Sequence, residues 1–384
     1  MEVATRMSRL GTESAFEVLA KAKELERNGV DIVHLEIGEP DFDTPRHIRD
    51  TAINAINDGE THYTPSAGIF EVRSRIAKYI SETRGLDVSP DNIVITSGAK
   101  PIIFHTMLAL VNPGDEVLYP NPGFPIYESM INFVGGKPVP IKLDVKKDFK
   151  IDIKEIQNSI SDKTKLLVIN SPNNPCGSVL YKEDLENLSK LVLDNDLIVL
   201  SDEVYNRFLY QGEHVSIATF PNMMERTIIL DGMSKTYAMT GWRLGFAVVP
   251  DLFLEGFVRL NTNNISCAAS FSQLSIIGAF DGPDQETNKM IEEFRQRKEL
   301  IVSGLNSIKG INCPDPQGAF YVFPSIRDTG MKSSDFVDQL LPRGVACLDG
   351  ESFGVFGEGC VRFSFANTKQ NIEKAIKRIR DFIG

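Results

Sequence analysis

The sequence predicts an α/β protein: a large domain with a mostly parallel sheet between helices, and a smaller α+β domain beside it. Three observations lead there. Short apolar strands alternate with helix-period segments through the middle of the chain. Those strands are apolar at nearly every position, as strands covered on both faces must be. Towards the C-terminus the strict alternation stops, and strands and helices follow each other without a fixed order. At 384 residues the chain has room for both units.

The elements follow in order. NIVIT (92–96) reads as a strand and leads into a helical stretch over 101–111. EVLYP (116–120) and LLVIN (166–170) open further strands. Between 182 and 194, Leu185, Leu188, Leu191 and Val192 recur at helical spacing and define one buried face. LIVLSDE (197–203) returns to strand, and TIIL (227–230) and LGFAVV (244–249) flank the polar segment DGMSKTYAMTGWR (231–243). A helix near 290–308 precedes the strand GAFYVFP (318–324). VRFSFA (361–366) alternates as a half-buried strand does, and the last helix presents Ile372, Ala375, Ile376, Ile379 and Phe382 on one side. The expected division is an N-terminal segment, residues 1–45, packing with the small domain; a large domain, 46–282; and a small domain, 283–384.

Composition narrows the function. A formal charge of −11 opposes binding to nucleic acid or to a membrane surface, while leaving room for local basic pockets. The five cysteines are scattered with no C-x-x-C pair, so zinc and dithiol chemistry have no support and the pattern suits a reducing cytoplasm. The N-terminal stretch has no apolar core of a signal peptide, and no apolar run approaches the roughly 20 residues of a membrane span. The five histidines lack ligand spacing, so no metal is expected.

In a parallel sheet, loops after the strands converge on one edge, where ligands bind. After NIVIT comes SGAK (97–100), small residues opening a helix whose amides suit an anion. After LLVIN comes SPNNPCG (171–177); after LIVL come Ser201, Asp202, Glu203 and Tyr205; after TIIL come Ser234, Lys235 and Arg243. Each has a bland reading. A lone lysine is nearly always solvated, an aspartate at a strand end is often a cap, and Gly-Pro segments make turns. Phe124 reads first as core and Lys100 as a solvated helix start. Arg362 is different, because a strand core rejects an unpaired charge.

Taken jointly, SPNNPCG, SDEVY and SKTYAMTGWRLG, in this order and between GEPDFDTP (38–45) and VRFSFA, resemble the class I/II aminotransferases of the aspartate aminotransferase superfamily, the fold type I enzymes dependent on pyridoxal 5'-phosphate. The resemblance spans nearly the whole chain and implies roles position by position. Lys235 would carry the cofactor covalently and act as general acid and base, with Asp202 and Tyr205 completing the catalytic set. Asp202 would face the pyridine nitrogen and favour its protonated form. Asn174 and Tyr205 would hydrogen-bond the phenolic oxygen, and Phe124 would stack on the ring. Arg243, Ser234 and the amides of Ala99 and Lys100 would hold the phosphate. Arg362 would clamp the substrate α-carboxylate, helped by the Gly38 amide and Asn174. Tyr63, in HYTPSAG, would reach the phosphate of a neighbouring subunit, which implies a homodimer.

The implied reaction moves an amino group from an L-amino acid to a 2-oxo acid such as 2-oxoglutarate in two half-reactions. Lys100, near the distal group, favours aspartate as donor; the bulky Phe16 in ESAFEV (13–18) keeps aromatic or broad donor ranges open. A lyase or synthase on the same scaffold, of the C–S β-lyase or aminocyclopropane-carboxylate synthase type, would share Lys235, Asp202 and Arg362 and is not excluded by any motif. A non-catalytic cofactor-binding regulator is disfavoured, since such chains place a DNA-binding domain ahead of the fold and this acidic chain opens almost at once on it.

Overall fold

The computed structural model describes residues 3–384. Among them the chain forms twelve strands: β1 (Val33–His34), β2 (Ile93–Thr96), β3 (Glu116–Asn121), β4 (Lys137–Lys142), β5 (Thr164–Asn170), β6 (Ile198–Asp202), β7 (Thr227–Gly232), β8 (Gly245–Val248), β9 (Tyr321–Val322), β10 (Val345–Ala346), β11 (Leu348–Asp349) and β12 (Val361–Ser364). Seven of these make one sheet in the order β2-β8-β7-β6-β5-β3-β4. Every neighbouring pair is parallel except the two that involve β8, so β8 alone runs against the rest. The α/β class and the mostly parallel sheet expected from the sequence are therefore present.

Both faces of the sheet are buried, which is why its strands carry apolar residues at successive positions. On one face Val117, Leu166, Val168, Leu200, Ile228 and Leu230 pack with Ile103 and Met107 of the helix Lys100–Leu110 and with Met130 of the helix Ile126–Val134. On the other, Leu118, Leu167, Ile169 and Val199 pack against Leu185, Leu188 and Val192 of the helix Lys182–Asp194. That helix begins where the Asp184 carboxylate accepts the Tyr181 N–H. Adjacent residues of each strand thus serve opposite layers.

The C-terminal part builds a second core around Phe294, Phe320, Phe336, Phe363 and Phe365. Its floor is the antiparallel sheet β11-β12-β9, and two helices, Gln285–Asn306 and Lys369–Ile383, cover it. The latter is capped by Thr368, whose hydroxyl accepts the Asn371 N–H, and buries Ile372, Ala375, Ile376 and Ile379. Its Ile376 lies so close to Gly304 that a Cβ there would collide with it. From the other end of the chain, β1 pairs in parallel with β10, tying Val33 and His34 to this C-terminal body.

GAFYVFP is shorter as a strand than its pattern predicts. Only Tyr321–Val322 pair with β12, because Gln317 and Gly318 donate their N–H groups to Gly177 O and Ala319 donates to Phe208 O, turning the approach over the mouth of the large sheet. No helix among the described residues is long and apolar enough to cross a membrane.

Candidate active site

The carboxyl ends of β2, β5, β6 and β7 open into a cavity of about 560 Å³. Gly38, Ala99, Lys100, Phe124, Asn174, Asp202, Tyr205, Ser234, Lys235, Arg243 and Arg362, all singled out in the sequence, line it. Tyr63 does not join them; its side chain is 90% exposed.

Asp202 ends β6 and is buried. The Tyr127 hydroxyl donates to its Oδ2 at 2.5 Å, and the Val204 N–H donates to Oδ1 at 3.3 Å. Burial pushes the carboxyl up to about 6; the two donors oppose that shift, while the nearby Asp231 and Glu203 charges add to it. Lys235 lies on the single helical turn Met233–Thr236, directly after β7. Its Nζ is partly buried and donates to Gly38 O at 2.6 Å. Burial lowers its amine to about 8, helped by the charges of Arg362 and Arg243 and resisted by Glu39 and Glu13. The cavity therefore contains an acid and an amine whose proton affinities are both displaced towards neutrality.

Beneath the strand ends lies a buried ionic cluster. Arg84 Nε donates to Glu203 Oε2 at 2.9 Å, and its Nη2 donates to Asp231 Oδ2 at 2.5 Å. Ser201, Ser216 and His214 bond Glu203, and Asn206 bonds Asp231. Burial alone would raise Glu203, but the facing His214 and Arg84 charges and the hydrogen bonds prevail and hold it down at about 2. Since Glu203 follows Asp202 and Asp231 precedes the Lys235 turn, the cluster clamps the two strand ends from which both groups project. A buried pair of this kind gives little net stability, but removing one partner is costly.

Opposite them, Arg362 on β12 is buried. Its Nη1 donates to Asn174 Oδ1 at 3.1 Å and its Nη2 to the Glu36 carbonyl, while Nε has no partner among the described residues. A guanidinium with an unmet buried donor at a cavity wall is suited to an incoming carboxylate. Tyr205 and Tyr321 share a hydrogen bond between their hydroxyls at 2.7 Å. Gly38 carries no side chain because Tyr321 occupies the place of a Cβ.

The residues fit a phosphorylated pyridine aldehyde. The helix Lys100–Leu110 has no side-chain cap; Pro101 carries no N–H and Ile102 donates to Ala99 O, which leaves the amides of Ala99 and Lys100 as the donors for an anion at the cavity end. Gly98 and Gly245 bring the backbone close: a Cβ on either would strike Arg243 or the Gly98–Ala99 backbone. Arg243, held at φ 54°, directs its guanidinium against Gly98 and donates through Nη1 to Thr240 O.

The sequence reading passed over Tyr127 and Tyr321. Tyr127 stands in NPGFPIY, three residues after Phe124, and Tyr321 in GAFYVFP; both look like core aromatics because both are fully buried. Asn170 was also missed: its Oδ1 accepts the Asn174 N–H and its Nδ2 donates to Asp202 O, joining two of the strand-end loops. A polar residue ending an otherwise apolar strand was the available signal.

Fold and cavity together define a fold type I pyridoxal-phosphate enzyme. The family model for aminotransferase class I and II matches residues 30–379, and the chain belongs to that family. It is 37% identical to the aspartate aminotransferase of Bacillus subtilis (strain 168), over 100% of this chain and 99% of that protein. It is 39% identical to aromatic-amino-acid aminotransferase 2 of Thermococcus litoralis, over 91% of this chain and 90% of that protein. Among solved structures, the Thermus thermophilus aspartate aminotransferase with maleate superposes with a TM-score of 0.95 at 34% identity, covering 99% of each chain. The protein is an aminotransferase of the aspartate aminotransferase type, and its cofactor is pyridoxal phosphate.

Proposed function

We propose that the enzyme transfers the amino group of an L-amino acid to a 2-oxo acid such as 2-oxoglutarate by a ping-pong route, taking both acidic and aromatic donors. The observation that carries this reading is one cavity containing a partly buried amine at about 8, a buried carboxyl at about 6 and a buried guanidinium with an unpaired Nε. When bound, pyridoxal phosphate supplies a ring that draws electron density from the substrate Cα.

The chain's residues do the rest. Lys235 holds the cofactor and moves the proton at Cα; an amine near 8 is neutral often enough at physiological pH to accept one. Asp202 holds positive charge at the ring nitrogen, where an unpaired carboxylate would otherwise be an expensive buried charge. Tyr205 and Asn174, both on the cavity wall, would donate to the phenolic oxygen, and Phe124 would cover the ring face. Ser234, Arg243 and the amides of Ala99 and Lys100 orient the phosphate. Arg362, with Gly38 and Asn174 beside it, binds the α-carboxylate shared by every donor. Tyr63, exposed on a single chain, would be available to reach the phosphate held by a second copy in a homodimer.

Relatives named for aspartate and for aromatic donors stand at similar identity, which supports a broad donor range. The test is a donor screen on the holoenzyme with 2-oxoglutarate as acceptor. Glutamate formation from aspartate and from an aromatic amino acid is the expected result. Release of ammonia or pyruvate without an acceptor would contradict it and favour lyase chemistry.

A further inference from the structure

The cavity contains one pairing that amino transfer does not require. Lys100 Nζ is bonded to the Glu13 carboxylate, 87 positions earlier in the chain. The ammonium also lies 5.9 Å from the ring centroid of Phe16 and 5.6 Å from that of Phe124. Glu13 points inwards: its side chain is 17% exposed, and its charge is felt by both Lys235 and Arg362. A cation that would attract the far carboxylate of a dicarboxylic substrate is thus neutralised by the chain's own carboxylate, between two aromatic rings.

Glu13 also has somewhere to go. It is the residue before the helix Ser14–Arg27, yet its side chain makes no capping hydrogen bond. Swung away from Lys100, its carboxylate could meet the free amides and partial positive charge of that helix start.

We propose that Glu13 is a specificity-determining residue, an internal counter-carboxylate for Lys100. With the pair closed, the cavity mouth is neutral and aromatic and suits uncharged or aromatic donors. A dicarboxylic donor displaces Glu13 and takes Lys100 for itself. The inference rests on the reading above only in that the occupant is a carboxylate-bearing substrate anchored at Arg362.

The test uses wild-type holoenzyme, Glu13→Gln and the double variant Glu13→Gln/Lys100→Met. Calorimetric titration with succinate and with 3-phenylpropionate measures binding without turnover, and kcat/KM for aspartate and phenylalanine measures the same choice in the reaction. Glu13→Gln should raise the preference for succinate over 3-phenylpropionate about fivefold, the scale of one partly exposed ion pair. The aspartate-to-phenylalanine ratio of kcat/KM should move the same way, and adding Lys100→Met should abolish the gain. A preference unchanged or reduced in Glu13→Gln, or a gain that survives Lys100→Met, overturns the proposal. If the binding contrast appears but no donor yields glutamate, the amino-transfer reading fails and the counter-carboxylate stands. Glutamate formation without the contrast sinks the counter-carboxylate alone.

Discussion

Replacing Asp202 by Asn should make the cofactor-free protein more stable while disabling it. Burial is the chief cause that pushes the carboxyl up to about 6 in the fold, against 3.8 for an ordinary aspartate. The sign follows from proton binding. Between those two values the folded chain retains a proton that the unfolded chain has released, so stability falls as pH rises through the window, and the full penalty is present above it. A gap of this size is worth on the order of 3 kcal/mol for one group. Asn keeps an acceptor for the Tyr127 hydroxyl and carries no charge, but turns its NH2 towards the Val204 N–H, so at pH 8 the variant should gain part of the roughly 3 kcal/mol. Its advantage should widen by about 1.5 kcal/mol between pH 5 and pH 8. Urea denaturation of both cofactor-free proteins at the two pH values measures this. In the same variant, kcat/KM should fall on the order of a hundredfold or more, as for other lost preorganised electrostatic partners. An Asn variant less stable than wild type at pH 8, or a difference that ignores pH, would refute the reasoning.

Three further outcomes follow from the same geometry. Arg84→Met strands the buried carboxylates of Glu203 and Asp231 and should cost about 3–5 kcal/mol in urea denaturation; a loss below about 1 kcal/mol would show that the cluster is not what holds the strand ends. Glu39→Gln removes a charge that raises the Lys235 amine, so the pH at which that amine becomes reactive towards an amine-selective reagent should move below about 8; a shift upwards would contradict the assigned cause. Arg362→Lys loses the planar fork beside Asn174 and should raise KM for every donor by a common factor on the order of tenfold; an effect confined to acidic donors would place the α-carboxylate elsewhere.

The central strands were readable because burial on both faces leaves the same mark at every position, as in Leu166, Leu167 and Val168. The edge strand β4 was not. KPVPIK has two prolines and two lysines, a composition tolerated only where one side of the ladder is unpaired, and it looks like a loop. The reversed direction of β8 was also invisible, since an apolar run carries no sign of its orientation. Of the eleven candidate residues lining one cavity, Ala99, Lys100, Asn174, Asp202, Tyr205, Ser234, Lys235 and Arg243 stand after strands, Arg362 is marked by a charge within a strand, and Gly38 and Phe124 came only through the family resemblance. Tyr127, Tyr321 and the Glu13–Lys100 pair escaped because each depends on a contact between distant segments: Tyr127 to Asp202, Tyr321 to Tyr205, Glu13 to Lys100. Local patterning records which side of an element is buried and is silent about which polar atom meets which.

The most direct test is a chemical map of the cofactor's attachment. The holoenzyme, reduced with borohydride and digested, should carry the cofactor's added mass on the peptide containing Lys235 and on no other, and Lys235→Ala should lack both the added mass and all transamination. Attachment at a different lysine, or full turnover in the alanine variant, would contradict the placement of the reaction at this amine.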